Sequence, residues 1–158
     1  MVEKLPKFET PYGLTISTKE SLAHPINFSR IQRGYVPALE DIIKPKQWDY
    51  PNIWSPLEYL TVIGLLRYGF TADARRIMEN SLSAHASLFR KRHTFFEKIN
   101  GDTGEPGSGA LYGDQEGFGW TNAVFYRYVQ LLDFIEDKKP IYKHPKPKSP
   151  PYVLSILN

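Results

Sequence analysis

Hydrophobic side chains recur at helical spacing in three stretches of the chain, and each stretch predicts an α-helix. The predicted helices run from Ser55 to Gly69, from Thr71 to about Phe89 and from about Thr121 to Ile135. The first two are separated by a tight turn and are expected to form a helical hairpin. No stretch of the sequence alternates convincingly between apolar and polar residues, as a half-buried strand would. The pattern therefore predicts an all-α fold.

The first predicted helix carries signals at both ends. Ser55 suits the N-cap, Pro56 suits the first helical position, and Glu58 would complete a capping box with the serine. Gly69 is expected to end the helix in the left-handed conformation. Before Ser55 the sequence shows little helical periodicity, apart from one short helix predicted at Ala38–Ile43.

A long glycine-rich link, roughly Thr94 to Trp120, separates the second and third predicted helices. Loops of this length inside a compact helical protein are commonly functional, and glycine lets the backbone approach a ligand closely. Phe118 and Trp120 need a surface to pack on, so we expect the end of the link to be ordered.

The composition permits a folded chain and argues against two kinds of partner. Of the 158 residues, 41% are hydrophobic and 14% are aromatic, and the formal net charge is only +3. Much of the basic excess lies in a proline-rich tail predicted at residues 138–158, which lacks a platform for nucleic acid. No apolar run reaches the roughly 18 to 20 residues of a membrane helix. We therefore expect neither a nucleic acid nor a membrane as partner.

Cysteine usage and the first residues predict the compartment. The sequence has no cysteine, which excludes disulfides and thiolate metal sites and fits a reducing environment. No apolar run of signal-peptide length follows Met1. These observations predict a cytoplasmic protein.

The segment from Gln47 to Pro56 is the richest in candidate chemistry. Trp48 and Trp54 have flat faces that suit the C–H-rich face of a pyranose ring. The polar groups that could bind its hydroxyls belong to Gln47, Asp49 and Asn52. The prolines help to fix their positions. The segment therefore predicts either a sugar-binding loop or a proline-braced turn whose tryptophans fill a core.

Hydrolysis of a sugar acetal without a metal needs two carboxyl groups, one to protonate the leaving oxygen and one to activate water. The acidic candidates are Asp49, Glu58, Glu97, Asp102, Glu105, Asp114 and Glu116. Glu97 stands out because it follows Phe95 and Phe96 at the entrance to the glycine-rich link, where desolvation can tune a carboxylate.

These segments resemble a known family. Gln47-Trp48-Asp49-x-Pro51-Asn52-x-Trp54-x-Pro56 is similar to the second signature of the trehalases, glycoside hydrolase family 37, although Ile53 stands where the family usually has a small residue. Phe96-Glu97-Lys98 resembles the family's Glu-Lys-Tyr-Asp segment, and Gly117 to Asn122 match its Gly-Phe-Gly-Trp-Thr-Asn motif. The stretch from Glu9 to Ser17 resembles the family's Gly-Leu-Pro-Thr-Ser stretch, although residues 18–46 separate it from the signature.

The resemblance implies an (α/α)6 barrel, a closed ring of helices, of which residues 1–137 would supply the C-terminal part. The helices predicted here are too few to close such a ring. The family's Asp-Ser-Gly-Trp-Asp segment, which carries the general acid, has no counterpart, and neither does the first trehalase signature. A sugar-binding glutamate of many bacterial members would fall near Leu111, so its role is expected to be absent or moved to Glu105, Asp114 or Glu116.

The resemblance also implies a reaction, the inverting hydrolysis of α,α-trehalose to glucose with Glu97 as catalytic base and with no cofactor or metal. The residues expected to bind the disaccharide are Gln47, Trp48, Asp49, Asn52, Trp54, Glu116, Phe118 and Trp120. Because the general-acid segment is absent, the isolated chain is expected to be nearly inactive. The candidate partner is the N-terminal two-thirds of the enzyme as a separate chain.

Two alternatives stay open. The run from Glu97 to Gly104 also resembles a segment of the glucosidase I-like family, glycoside hydrolase family 63, which would change the substrate to another α-glycoside. A non-catalytic remnant that binds a sugar or a partner chain would keep the motifs without the reaction. The Gln47-Trp48-Asp49 triplet favours the trehalases.

Overall fold

Three α-helices dominate the computed structural model of the chain. The described residues are 2–23, 47–107, 109 and 113–137. Helix α1 comprises Ser55–Arg67, helix α2 comprises Thr71–Arg92 and helix α3 comprises Gly119–Glu136. Each contains one of the three stretches with helical periodicity, so the three helix predictions are confirmed. The short helix predicted at Ala38–Ile43 and the tail at 138–158 lie outside the described residues.

Two small antiparallel pairs of strands accompany the helices. β1 (Glu9–Thr10) pairs with β2 (Gly13–Leu14), and β3 (Asn52–Ile53) pairs with β4 (Ile99–Asn100). Two residues are too few to leave an alternating pattern in the sequence, which is why no strand was expected. The described residues are thus mainly helical, as expected for part of an all-α barrel.

The turn between α1 and α2 is a Schellman motif. Gly69 has a φ of +83°, and its N–H donates to the carbonyl of Leu66 at 3.3 Å. The N–H of Phe70 donates to the carbonyl of Leu65 at 2.9 Å. These two bonds satisfy carbonyls that the helix end would otherwise leave open. The predicted left-handed glycine is confirmed, and it sets the helical hairpin.

The start of α1 differs from the predicted capping box. The N-cap is Trp54, whose side chain makes no capping bond. Ser55 is the first helical residue, and its Oγ lies 3.2 Å from Nε2 of His85 on α2. Burial lowers the pKa of His85 to about 4, so this contact holds a neutral ring. Glu58 accepts the N–H of Leu14 at 2.7 Å. The prediction was wrong because both side chains serve contacts with other segments instead.

The main core lies where the three helices meet the N-terminal residues. Its buried members are Leu5, Leu14, Val62, Leu65, Ala74, Ile77, Met78, Val124, Tyr128 and Leu131. Helix α2 is also tied to β1 by Arg76, whose guanidinium donates to both carboxyl oxygens of Glu9 at 2.6 and 3.0 Å. The hairpin of β1 and β2 is therefore an integral part of the helical unit.

Glu58 is a carboxyl group buried in this core. It is 1% exposed, and its Oε2 accepts the N–H of Leu14, while Ser81 of α2 and Tyr128 of α3 lie near the carboxyl group. Among the described residues, Oε1 of Glu58 and the hydroxyl of Tyr128 have no hydrogen-bond partner. Burial raises the pKa of Glu58 to about 7, and the neighbouring polar groups offset only part of that effect. Glu58 thereby joins α1 to the hairpin of β1 and β2.

The burial of Glu58 predicts a contribution to stability that is lost as the pH rises. His85, whose pKa is lowered, contributes in the opposite direction, and a comparison of wild type with a Glu58 variant cancels that part. The pKa of Glu58 is about 7 in the folded chain and ordinarily 4.5, so over this window the folded state keeps a proton that the unfolded state releases. The contribution of Glu58 to the free energy of unfolding is roughly 3 kcal/mol. It is present in full below the pKa of the unfolded chain and is lost above the pKa of the folded chain. Urea unfolding from about pH 4 to about pH 8 measures it by comparing wild type with Glu58→Gln.

The contribution should be missing from Glu58→Gln, since the amide does not titrate. Glu79→Gln is the control, because Glu79 pairs with Arg75 at the surface and should leave the pH dependence as in wild type. Parallel pH profiles for wild type and Glu58→Gln would contradict the assignment.

Gly13 is expected to tolerate no side chain. Its φ is +137°, and a Cβ at this position would overlap Oε2 of Glu58. We expect Gly13→Ala to lower the free energy of unfolding by about 2 kcal/mol or more. Gly64→Ala is the matched control, because a Cβ there meets nothing within 4 Å. It lies inside α1 and should stabilise the chain by up to about 1 kcal/mol. Urea midpoints of both variants test the contrast.

Candidate functional site

The pairing of β3 with β4 places the Gln47–Pro56 segment beside the start of the glycine-rich link. Asn52 faces Asn100, and Ile53 faces Ile99. Both isoleucines are fully buried, in a second cluster with Ala84, Leu88 and Phe96. Ile53, the departure from the family's signature, is therefore a core residue that joins two motif segments distant in sequence.

Backbone hydrogen bonds fold the glycine-rich link back on itself. The N–H of Gly107 donates to the carbonyl of Lys98 at 3.0 Å, and that of Glu97 donates to the carbonyl of Gln115 at 2.9 Å. The backbone at Gly107 and at Gln115 therefore runs beside the short stretch that carries Glu97. Residues 108 and 110–112, which include the predicted slot near Leu111, lie outside the described residues.

A local turn explains the first glycines of the link. The side-chain Oδ1 of Asn100 accepts the N–H groups of Asp102 at 2.8 Å and Thr103 at 3.2 Å. Side chains of this kind commonly satisfy the backbone two residues on. Gly104 follows with a φ of +71°, which closes the turn. Asn100 and Thr103 therefore have a structural explanation that requires no ligand.

The Gln47–Pro56 segment is held from two sides. The hydroxyl of Tyr50 donates to Asp102 of the link, which raises the pKa of Tyr50 to about 12. The N–H of Tyr50 donates to Oγ of Ser17 at 2.6 Å. Ser17 belongs to the stretch that resembles the motif upstream of the signature. The two stretches thus meet despite the residues that separate them in sequence.

The three tryptophans form one aromatic cluster. Trp48 stacks on Trp54 with ring centroids 4.0 Å apart and planes 9° from parallel. Trp120 meets Trp54 edge-on at 5.6 Å, and Phe118 lies 4.6 Å from Trp120. Trp54 is only 1% exposed, whereas Trp48 is 51% and Trp120 is 39% exposed. The accessible aromatic surface therefore belongs to Trp48 and Trp120, with Trp54 beneath.

The predicted polar ligands differ in their surroundings. Asn52 is wholly buried, and its Nδ2 donates to the carbonyl of Gln47 at 3.2 Å. The same carbonyl accepts Nε1–H of Trp54 at 3.0 Å. Gln47 and Asp49 are half-buried, and Glu116 is exposed opposite Phe96. Asn52 therefore shapes the turn, while the other three polar side chains lie nearer the surface.

Glu97 lies beneath the aromatic cluster. It is 4% exposed, and its Oε2 lies 3.0 Å from Nζ of Lys98. Its carbonyl accepts Nε1–H of Trp120 at 3.2 Å, and Thr121 donates to the carbonyl of Phe96 at 2.8 Å. The first turn of α3 therefore fixes the backbone that carries Glu97. The structure thus brings together Glu97, the tryptophan signature and the Gly117–Asn122 motif.

Lys98 is the residue of this site that was not among the predicted site residues, although it lies in a motif segment. Its Nζ lies 5.5 Å from the ring centroid of Trp54, and the residue is only 2% exposed. The one available signal was its position directly after Glu97. In a sequence that signal is weak, because lysine is almost always exposed unless it is paired.

Neither a metal centre nor a membrane span is found within the part of the chain that the structure describes. Across residues 2–23, 47–107, 109 and 113–137, no group of three or more His, Asp or Glu side chains is arranged to hold a metal ion. The helices within these same ranges are too short or too polar to cross a bilayer.

The family model for trehalase matches residues 16–135, more than half of the chain. The chain belongs to the trehalase family. It is 46% identical over 87 residues to the periplasmic trehalase of Xanthomonas oryzae pv. oryzae (strain MAFF 311018), over 54% of this chain and 15% of that protein. It is 38% identical over 109 residues to the periplasmic trehalase of Xanthomonas campestris pv. campestris (strain B100), over 66% of this chain and 19% of that protein.

The comparison corrects the predicted compartment. The chain spans less than a fifth of the length of these trehalases, which are named as periplasmic proteins. The cytoplasmic location expected from the sequence is contradicted by these relatives. That expectation relied on the residues after Met1. Because the chain matches so small a part of its relatives, these residues say nothing about a leader peptide.

The two stacked tryptophans are expected to differ sharply in their effect on stability. Trp54→Ala empties a buried site and should lower the free energy of unfolding by about 3 to 5 kcal/mol. Trp48→Ala removes a half-exposed ring and one stacking contact, so it should lower it by roughly 1 kcal/mol. Urea unfolding measures both. Equal losses would show that Trp48 is as much a core residue as Trp54.

Proposed function

We propose that this chain is the C-terminal part of a trehalase-like glycoside hydrolase and supplies one wall of an active site for the inverting hydrolysis of α,α-trehalose to glucose. The observation that carries the proposal is that Glu97 is joined to two other trehalase motifs. Its carbonyl accepts Nε1–H of Trp120, and its carboxylate pairs with Lys98, which lies over the ring of Trp54. Relatives that are 38 to 46% identical over 109 and 87 residues of the chain are named trehalases, which supports the choice of substrate.

Glu97 has the role of catalytic base in this proposal. An inverting hydrolase places a carboxylate so that it removes a proton from the water that attacks the anomeric carbon. Glu97 is sheltered from bulk solvent and held by Lys98 and the start of α3, so its position is well defined. The general acid would stand on the other side of the sugar, roughly 6.5 to 9.5 Å from the base. It would come from residues that this chain does not contain.

The exposed aromatic surface is the proposed sugar platform. Trp48 and Trp120 offer accessible faces to a pyranose ring, and Trp54 supports Trp48 from below. Gln47 and Asp49 would bind hydroxyl groups at the edge of this platform. The remaining predicted contacts are Asn52, Glu116 and Phe118, of which Asn52 would act by shaping the turn. The proposed chemistry uses carboxyl groups and water and involves no cofactor or metal.

Completion of the barrel by a further chain segment is part of the proposal. Large apolar side chains are exposed on α1, on α3 and at the turn between α1 and α2, and they are Leu60, Tyr68, Phe70, Tyr126 and Val129. Exposed apolar surface of this kind is typical of an interaction face. We assign residues 1–137 to the partial barrel and 138–158 to a basic tail. The proposed partner is the N-terminal two-thirds of the enzyme.

The glucosidase I-like alternative has less support from the structure. Its resemblance depends on the run from Glu97 to Gly104, in which Asn100 forms a turn with the backbone of Asp102 and Thr103. That arrangement explains these residues without a change of substrate. A panel of trehalose and other α-glucosides, tested on the completed enzyme described below, separates the two substrates.

A chimeric enzyme tests the function directly. Residues 47–135 of this chain would replace the corresponding segment of the Xanthomonas oryzae trehalase, a protein to which the chain is 46% identical over 87 residues. We expect the chimera to release glucose from trehalose and Glu97→Gln to lower its kcat by about 10² to 10⁴. The 158-residue chain alone should show almost no turnover.

The controls separate the possible failures. Glu79→Gln, at the surface of α2, should leave the kcat of the chimera unchanged. A folded chimera that binds trehalose without hydrolysing it would favour the non-catalytic remnant. Full activity in Glu97→Gln would refute the assignment of the base. Enzyme-like turnover by the 158-residue chain alone would refute its incompleteness.

A further inference from the structure

We propose that Lys98 is a positioning residue for the base: its ammonium holds the Glu97 carboxylate in place beneath the tryptophan cluster, in a slot that Gly107 leaves open. This inference rests on the proposed function of Glu97. It assigns to Lys98 a role in the rate of the reaction that acts through Glu97.

The ion pair is unusually well buried. The side chains of Lys98 and Glu97 are 2% and 5% exposed, and Nζ lies 3.0 Å from Oε2. Burial removes both charges from water, so such a pair is weak evidence for stability and often stabilises less than an apolar pair of the same size. A buried ion pair beside three motif segments is better explained by its effect on the position of the Glu97 carboxylate.

The slot is formed by a glycine. A Cβ on Gly107 would lie 2.6 Å from Cγ of Lys98 and 2.6 Å from Oδ1 of Asn52. The backbone of Gly107 also donates to the carbonyl of Lys98 at 3.0 Å. The aliphatic part of Lys98 therefore occupies the space that a side chain at position 107 would fill. Gly107 constrains its path at Cγ and Cδ.

The head of the lysine connects the carboxylate to the aromatic cluster. Nζ lies 5.5 Å from the ring centroid of Trp54, within reach of a cation–π contact, while it also pairs with Glu97. Trp54 is stacked under Trp48 and cannot move without disturbing the platform. The ammonium thus ties the orientation of the carboxylate to the surface on which the sugar is proposed to lie. A misplaced base loses rate steeply, by as much as about 100-fold for a shift of about 1 Å.

The test is a double-mutant cycle in the chimera. Lys98→Met should lower kcat roughly 10- to 100-fold with little change in KM, because the base moves while the sugar platform stays. In the Glu97→Gln background the same substitution should have almost no further effect, since there is no carboxylate left to position. Lys98→Arg, which keeps the charge, should recover part of the loss.

Gly107→Ala provides a second variant that leaves all charges in place. It displaces the lysine stem and should lower kcat in the same direction. Lys91→Met is the matched control, because Lys91 pairs with Glu105 at the surface at 3.0 Å and should leave kcat unchanged. Unfolding midpoints of all variants show whether a loss of rate follows from a loss of folded protein.

The outcomes distinguish the two proposals. If Glu97→Gln keeps full activity, the proposed base is wrong, whatever Lys98 does. If Glu97→Gln loses activity while Lys98→Met keeps the kcat of wild type, the role of Lys98 is refuted and the base stands. If Lys98→Met lowers kcat equally in both backgrounds, Lys98 acts independently of Glu97, which also overturns the inference.

Discussion

The arrangement of this chain depends on a two-residue strand pairing. Ile53 and Ile99 face each other at the centre of a buried cluster, and this contact joins the tryptophan segment to the segment of Glu97. A strand pair of only two residues on each side would be unstable by itself in water. Burial of the two isoleucines under α2 supplies the apolar contact that makes the pairing persist. The Tyr50–Asp102 bond and the contact of Lys98 with Trp54 reinforce the same junction, so the motifs share one site.

Near that pairing, the structure buries two ionisable side chains, and it makes room for both in the same way. Glu58 and Lys98 are both ionisable side chains that the fold encloses, and each lies against a glycine, Gly13 or Gly107, whose missing Cβ leaves the space. A buried polar group needs partners at short distance, and the close approach of a backbone segment is easiest at glycine. Glu58 joins segments of the fold, whereas Lys98 joins a carboxylate to an aromatic platform. The first serves architecture and the second is proposed to serve chemistry.

The sequence predicts the helices well and the contacts poorly, for physical reasons. Helical periodicity and the glycine at position 69 are local signals, so the three helices and the Schellman turn followed from neighbouring residues. The capping box failed because Ser55 and Glu58 have partners far along the chain, His85 and Leu14, which no local pattern contains. For the same reason the sequence could point to Glu97 and the tryptophans but not to the burial of Trp54 under Trp48, nor to the slot beside Gly107. The roles of the predicted site residues stay predictions until the variants are measured.

The raised pKa of Glu58 has a further consequence, for the folding reaction itself. Between about pH 4.5 and about pH 7, the unfolded chain carries this carboxyl largely ionised and the folded chain carries it largely protonated. Glu58 therefore takes up a proton on folding. His85, whose pKa is lowered to about 4, gives one up over nearly the same range, because its ring is charged in the unfolded chain and neutral in the folded one. The two exchanges with the solvent largely cancel in the wild-type chain. When Glu58 is replaced by a side chain that does not titrate, only the release from His85 remains, and the calorimetric enthalpy of unfolding then depends on the buffer.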